Sequence, residues 1–265
     1  MKFMHKWLYA VAVVTVSLFS VSHANAETKG ILQQVIDRGA VRIAIIGGAA
    51  PWSSISPSGD PQGYEIEIAK SFASALGVKP VFVTTSIPGR SAMLQSGKAD
   101  MVIAQYTNTA ERAKTITFTR PYMTIGMQFL VLADRKDINS VQDLDKMHAK
   151  IAATRGGYTQ TLVPRLLPNA SILNFDNIKD EILAVDAGQA DATSENQIWN
   201  RDLMTKNPGK YKVIPGLHSH EELSIAVPKG DFDWWQLVND WVEQFNASGD
   251  NNRMFKQAFG YDKPE

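Results

Sequence analysis

The order of apolar and polar positions predicts alternating strands and helices. Residues 41–46 are mostly β-branched and are broken by Gly47-Gly48 and Pro51, so they read as a buried strand running into a loop. Across 67–76, Ile68, Phe72, Ala75 and Leu76 recur at helical spacing up to Gly77, which predicts an amphipathic helix with a glycine stop. A strand at 81–85, a short helix at 91–95 closed by Gly97, and a buried strand at 101–104 follow. Strand, helix, strand, helix, strand in that order favours a parallel sheet covered on both faces.

The pattern starts again after Asp134. Strands are expected at 151–154, 172–175 and 191–194, with helices at 159–167, 178–187 and 197–205. The fold class is therefore α/β with two lobes rather than one long sheet. Two extended apolar segments, 125–132 and 223–227, suit a pair of crossings between the lobes. Helices at 234–245 and 253–259 then return to the first lobe. The expected division is 27–126 for the first part of lobe 1, 127–222 for lobe 2 with its crossing strand, and 223–265 for the second crossing and the rest of lobe 1.

Lys2 and Lys6 precede an apolar stretch at 7–21, with small residues at Ala24 and Ala26. This predicts an export leader over 1–26, cut after Ala26, and a soluble mature chain in the periplasm. The 265 residues include 0 Cys, so lipid attachment through cysteine, disulfides and thiolate chemistry are all excluded, and stability has to come from packing. Losing Lys2 and Lys6 takes 27 basic residues to 25 against 27 acids, a balance that argues against nucleic acid or an anionic membrane as partner. No cofactor is implied. Gly47-Gly48 lacks phosphate-loop spacing, no Gly-x-Ser-x-Gly elbow occurs, and His218-Ser219-His220 with Glu221 reads as a solvent-exposed polar loop rather than a metal site.

Gly63-Tyr64-Glu65-Ile66-Glu67-Ile68-Ala69 resembles the signature of the extracellular solute-binding proteins that serve polar amino-acid ABC importers. Further matches follow in the same order: 94–100 (Leu-Gln-Ser-Gly-Lys-Ala-Asp), 107–113 (Thr-Asn-Thr-Ala-Glu-Arg-Ala), 118–122 (Phe-Thr-Arg-Pro-Tyr), 188–192, 225–230 and 255–260. They span essentially the whole mature chain. The resemblance implies a type II periplasmic-binding fold, a monomer whose two lobes close on a small carboxylate-bearing ligand and present it to an inner-membrane permease.

The same resemblance makes Arg112 the residue that grips the ligand carboxylate, a role suited to the paired donors of a guanidinium. Thr107 is then the hydroxyl donor, and Thr109 caps the turn that follows it. Trp52 either walls the ligand or packs in the core. Arg90 either neutralises a second acidic group or faces solvent at the lobe edge. In lobe 2, Gly157 stands where the family often has a hydroxyl, which leaves backbone N–H groups at a helix start as anion donors, with Tyr158 as a candidate lining residue.

The amine side departs from the family. Ile46 and Asn196 occupy the places of two acids, so a plain α-ammonium lacks its usual partners; Glu195, one residue away, is the candidate replacement. The expected function is ligand capture for import. The alternatives are a dehydratase of the cyclohexadienyl dehydratase type, with Glu195 as general acid, and a ligand-presenting sensor protein.

Overall fold

The computed structural model describes residues 29–264, so the leader expected at 1–26 lies outside the described residues. Lobe 1 begins with α1 (Ile31–Arg38) and β1 (Ala40–Ile46). A small separate sheet of β2 (Gly48–Ala49), β3 (Ser53–Ile55) and β4 (Pro61–Gln62) comes next, then α2 (Tyr64–Ala75), β5 (Lys79–Thr85), α3 (Arg90–Gln95), β6 (Met101–Val102) and β7 (Ile116–Ile125). After Gly126 the chain enters lobe 2 as β8 (Met127–Leu132). It continues through α4 (Val141–Lys146), β9 (Lys150–Thr154), α5 (Thr159–Leu166), β10 (Ser171–Phe175), α6 (Ile178–Asp186), β11 (Ala192–Asn196), α7 (Gln197–Lys206) and β12 (Tyr211–Val213). β13 (Glu221–Pro228), α8 (Phe232–Ala247) and α9 (Asp250–Phe259) complete lobe 1.

Both lobes carry the same sheet plan, in the orders β5-β1-β6-β13-β7 and β10-β9-β11-β8-β12. Three strands run parallel, and the fourth position is filled by an antiparallel strand that has just crossed from the other lobe, β13 in one and β8 in the other. This is the type II periplasmic-binding arrangement. The actual crossings are shorter than 125–132 and 223–227, because most of those residues are ladder strands within one sheet. The chain passes between lobes at Gly126 and again between β12 and β13. A side chain at Gly126 would meet Leu217 Cδ1 at 2.7 Å and Ser219 O at 2.9 Å, so the two crossings are packed against each other.

The polar loop expected in solvent lies at that packed crossing. His218 is half-buried with its ring 5.3 Å from Phe129, Glu221 is buried, and only His220 is exposed. Local composition gives no warning of this, since the burial comes from the two lobes on either side. Pro121 is tolerated in β7 because that strand is a sheet edge, and the ladder to β13 shifts register beside it.

Helix starts follow side-chain capping: Ser140 and Asp143 form a capping box at α4, and Asn177, Asn196 and Asp231 cap α6, α7 and α8. The lobe 1 core gathers Tyr64, Phe72, Trp234 and Phe255 against Ile43 and Ile45, while lobe 2 packs Phe129, Val131, Leu144 and Ile151. The indole N–H of Trp234 donates to Asp100 O at 2.8 Å, which ties α8 to the sheet. Among the described residues, no helix is long and apolar enough to cross a membrane.

Candidate functional site

A chamber of about 60 Å³ lies between the lobes, where the carboxyl ends of the parallel strands face each other. Lobe 1 lines it from the ends of β1, β5 and β6, lobe 2 from the ends of β9 and β11 and the start of α6; Ile125, Met127 and Leu223 close it at the crossings. Open α/β sheets place ligands at this end of their strands.

Two guanidiniums of lobe 1 converge on one carbonyl of lobe 2. Arg90, only 4% exposed, donates to Ile87 O (2.8 Å), Ala104 O (3.0 Å) and Gln105 O (3.1 Å), and its Nη2 reaches Gly156 O at 3.0 Å. Arg112 donates to Thr107 O at 2.7 Å and to the same Gly156 O at 2.9 Å. Tyr106 lies beneath both, 4.2 Å from the Arg90 guanidinium and 4.9 Å from that of Arg112. Neither arginine forms an ion pair among the described residues. Burial, and then the like charge of Arg112, pulls the Arg90 guanidinium down to about 9; burial lowers Arg112 as well.

Arg90 therefore does not face solvent at a lobe edge; it lines the chamber. Arg112 stands behind it at the interlobe contact and does not line the chamber wall. Thr107 lines the chamber, and the Thr109 hydroxyl accepts from Arg112 N at 3.3 Å, capping the turn.

Gly156 adopts φ +72°, and a Cβ there would fall 2.8 Å from Pro88 Cα of lobe 1. The lobes thus touch backbone to backbone. The N–H groups of Gly156 and Gly157 are already used, the first by Gln160 Oε1 (2.7 Å) and the second by Thr154 O (3.0 Å). The next two N–H groups along, those of Tyr158 and Thr159, have no protein partner among the described residues. Gly157 is needed for a different reason: a Cβ would press on Thr154 O at 2.9 Å. Tyr158 lines the chamber and packs against the apolar cluster that runs from the lobe 1 core to Met127, Leu162 and Ile198 of lobe 2.

Trp52 is corrected. It is fully buried, edge-on to Tyr64 (5.9 Å) and Phe259 (5.1 Å), and does not line the chamber. The start of α2 causes this, because Tyr64 N and Glu65 N take the carbonyls of Pro51 (3.0 Å) and Trp52 (2.9 Å) as their acceptors. Gly63 at φ +121° permits that approach, since a Cβ would fall 2.5 Å from Trp52 O. The docked backbone turns the indole inward.

Glu195 and Asn196 both line the chamber, with different freedom. Asn196 Oδ1 accepts from Trp199 N at 2.9 Å as the cap of α7, so its carbonyl end is committed to the helix. Glu195 stands beside Glu181, a fully buried acid held by the hydroxyls of Thr154 (2.7 Å) and Thr193. Burial and the neighbouring carboxyl hold Glu195 well above the carboxylate range, and burial pushes Glu181 up to about 7.

Sequence reasoning missed Glu181 and Gln105. Gln105 lines the chamber with φ +46°, its N–H donating to the buried Glu65 carboxylate at 2.6 Å, which also accepts from Tyr122 Oη at 2.6 Å. Glu65 belongs to the quoted family signature, but nothing local marked a left-handed glutamine. Glu181 follows Ile178 by three positions on the inner face of α6, where helical periodicity would have flagged an acid had it been read residue by residue.

A two-lobed trap with an interlobe chamber defines a solute-binding protein, and the comparisons with known proteins agree. Residues 41–261 match the bacterial extracellular solute-binding proteins, family 3, and the chain belongs to that family. It is 27% identical over 252 residues to the L-cystine-binding protein TcyJ of Escherichia coli K12, covering 95% of this chain and 94% of that protein. It is 31% identical to the ABC transporter glutamine-binding protein GlnH of Bacillus subtilis, covering 78% and 76%. Among solved structures, an ancestral amino acid-binding protein, AncCDT-1, a precursor of cyclohexadienyl dehydratase, superposes with TM-score 0.80 at 31% identity, covering 87% of this chain and all of that one.

Proposed function

We propose that this protein captures an amino acid, or a closely related small carboxylate, for an inner-membrane ABC permease, working as a periplasmic monomer released by cleavage after Ala26. The observation that carries the reading is the pair Arg90 and Arg112, two largely desolvated guanidiniums that form no ion pair among the described residues and converge on Gly156 O beside the chamber. Buried charges are favourable only when paired, so the site calls for an anion. A ligand carboxylate takes these donors together with the N–H groups of Tyr158 and Thr159 and the Thr107 hydroxyl. The ammonium is displaced toward Glu195, because Ile46 is apolar and the Asn196 oxygen is occupied. Closure follows from bridging: donors in lobe 1 and lobe 2 reach one ligand together only when the lobes meet.

A thermal-shift screen of amino acids, dicarboxylates and simple amines tests this. Carboxylate-bearing amino acids raise the melting temperature by mass action, and amines lacking a carboxylate do not. A response to amines alone would overturn the assignment. Glu195 at the chamber wall, with burial and Glu181 raising its carboxyl above the carboxylate range, favours a second reading, a dehydratase with Glu195 as general acid. Turnover of prephenate or arogenate decides between them, and none is expected.

A further inference from the structure

Glu65, the second residue of α2, is fully buried and stands behind the chamber rather than in its wall. Its Oε1 accepts from Tyr122 Oη and from the Gln105 N–H, each at 2.6 Å. Its Oε2 lies 3.3 Å from Ser53 Oγ, whose hydroxyl donates to Ile46 O at 2.8 Å. Among the described residues, Gln105 and His148 alone carry a side chain at positive φ. A Cβ makes left-handed backbone unfavourable, so such a residue persists only where its surroundings hold it. At Gln105 the hold is on the N–H, and the rest of the turn serves the two arginines. The Gln105 carbonyl accepts from Arg90 Nη1 at 3.1 Å, beside Ala104 O at 3.0 Å. The next residue, Tyr106, lands beneath both guanidiniums, its hydroxyl 2.5 Å from Ser91 Oγ and its carbonyl accepting from Ser224 N at 3.1 Å. Every one of these contacts lies within lobe 1.

We propose that Glu65 is a positioning residue for the anion site: by holding the Gln105 N–H it fixes the left-handed turn that aims the Arg90 guanidinium and seats Tyr106 beneath it. This rests on the carboxylate reading of the arginines given above. The role belongs to the reach of the side chain and not to its charge. Glu65→Gln keeps an oxygen at Oε1 for both Gln105 N and Tyr122 Oη, and its new N–H group can donate to Ser53 Oγ while that hydroxyl still donates to Ile46 O. Glu65→Asp keeps the charge but draws the acceptor back by one bond length, out of reach of the Gln105 N–H. The turn is then left with a strained residue and no contact on its N–H.

Nitrogen-15 NMR of the ligand-free mature protein tests this, reading water exchange of the Arg90 guanidinium protons, with Arg90→Lys to assign them. Exchange should be slow in wild type and in Glu65→Gln, and about tenfold or more faster in Glu65→Asp, where the hold on Nη1 is lost. Across the amino-acid panel of the thermal-shift screen, Glu65→Asp should bind about tenfold more weakly and Glu65→Gln as wild type does. Tyr122→Phe removes the other donor to Oε1 and leaves the Gln105 contact, so it disturbs the same buried pocket but should change neither the Arg90 signal nor the ligand response. A purely structural role would lower the melting temperature of Glu65→Asp and leave the Arg90 signal as in wild type, which would overturn the proposal. Loss of that signal in Glu65→Gln or Tyr122→Phe would overturn it too. If no amino acid stabilises wild type, the carboxylate reading fails by itself, and the Arg90 signal still decides the role of Glu65.

Discussion

Arg112 of lobe 1 donates to the carbonyl oxygen of Gly156 in lobe 2 at 2.9 Å, a contact made across 44 residues of chain and across the cleft. Arg90 donates to the same oxygen at 3.0 Å. A neutral carbonyl thus receives two charged donors, each such bond contributing about 1.5–3 kcal/mol. A carboxylate brought to this edge offers a full charge and two oxygens, and competes for the same donors. The arginines are part of the closed lobe contact, and on the proposed function they are also the element of it that a ligand addresses.

Arg112→Met should fold normally and lose ligand binding by about 2–5 kcal/mol, because the carboxylate keeps its desolvation cost while losing a charged partner. Calorimetry reads the affinity and small-angle scattering reads the closed population. Affinity within a few-fold of wild type would remove Arg112 from the anchor role and leave it as an interlobe strut.

Gly156→Ala tests the contact from the other side. At φ +72° an alanine pays roughly 1–2 kcal/mol of backbone strain in any lobe arrangement, but the 2.8 Å approach to Pro88 exists only when the lobes are together. The variant should lose more in ligand affinity than in thermal stability, and scattering with saturating ligand should show a larger radius of gyration than wild type. Equal losses in affinity and stability would mean that Pro88 and Gly156 are also in contact when the cleft is open.

Most of the strand and helix order was legible because β-branched runs and glycine stops are local signals. Gly77 and Gly97 mark ends that the structure bears out, each with positive φ. What was not legible depends on distant packing. α1 escaped notice because only Val35 of its eight residues is buried, and the three-residue strand β12 is defined by its pairing to β8 rather than by its own pattern. Trp52 read equally well as a ligand wall or a core residue until α2 was seen to dock on its backbone. Arg112 was identified by motif, but its partner Gly156 lies in the other lobe, and no spacing rule connects them.

Stability should fall as pH rises through the range where the buried acids titrate. Burial holds Glu181 and Glu221 each at about 7, above an ordinary value of 4.5. The folded form prefers them protonated, so their contribution is fully present below the unfolded value and is lost as pH climbs through the folded one. Wild type should lose melting temperature between about pH 4.5 and 7, relative to a Glu181→Gln variant whose profile is flatter over that window. A variant that is less stable than wild type at pH 8 would show that the Thr154 and Thr193 hydroxyls stabilise the ionised carboxylate more than burial penalises it.

The amine side of the chamber gives the sharpest test of the ligand chemistry. Burial and the neighbouring Glu181 hold the Glu195 carboxyl above the carboxylate range, so an ammonium bound there would stabilise the ionised form and release a proton. Ligand affinity should then weaken as pH falls, and the binding enthalpy should vary with the ionisation enthalpy of the buffer in proportion to the protons released. Glu195→Gln should abolish the buffer dependence and weaken ammonium-bearing ligands, while sparing carboxylates that lack the amine. Asn196→Asp should do the reverse. Aspartate caps a helix as well as asparagine does and suits the positive end of the α7 dipole, so stability should hold. The added charge beside Glu195 should tighten plain α-amino acids relative to wild type. If Glu195→Gln leaves both the affinity and the proton release intact, the ammonium does not sit at this pair, and an acid elsewhere in the cleft must be supplying its charge.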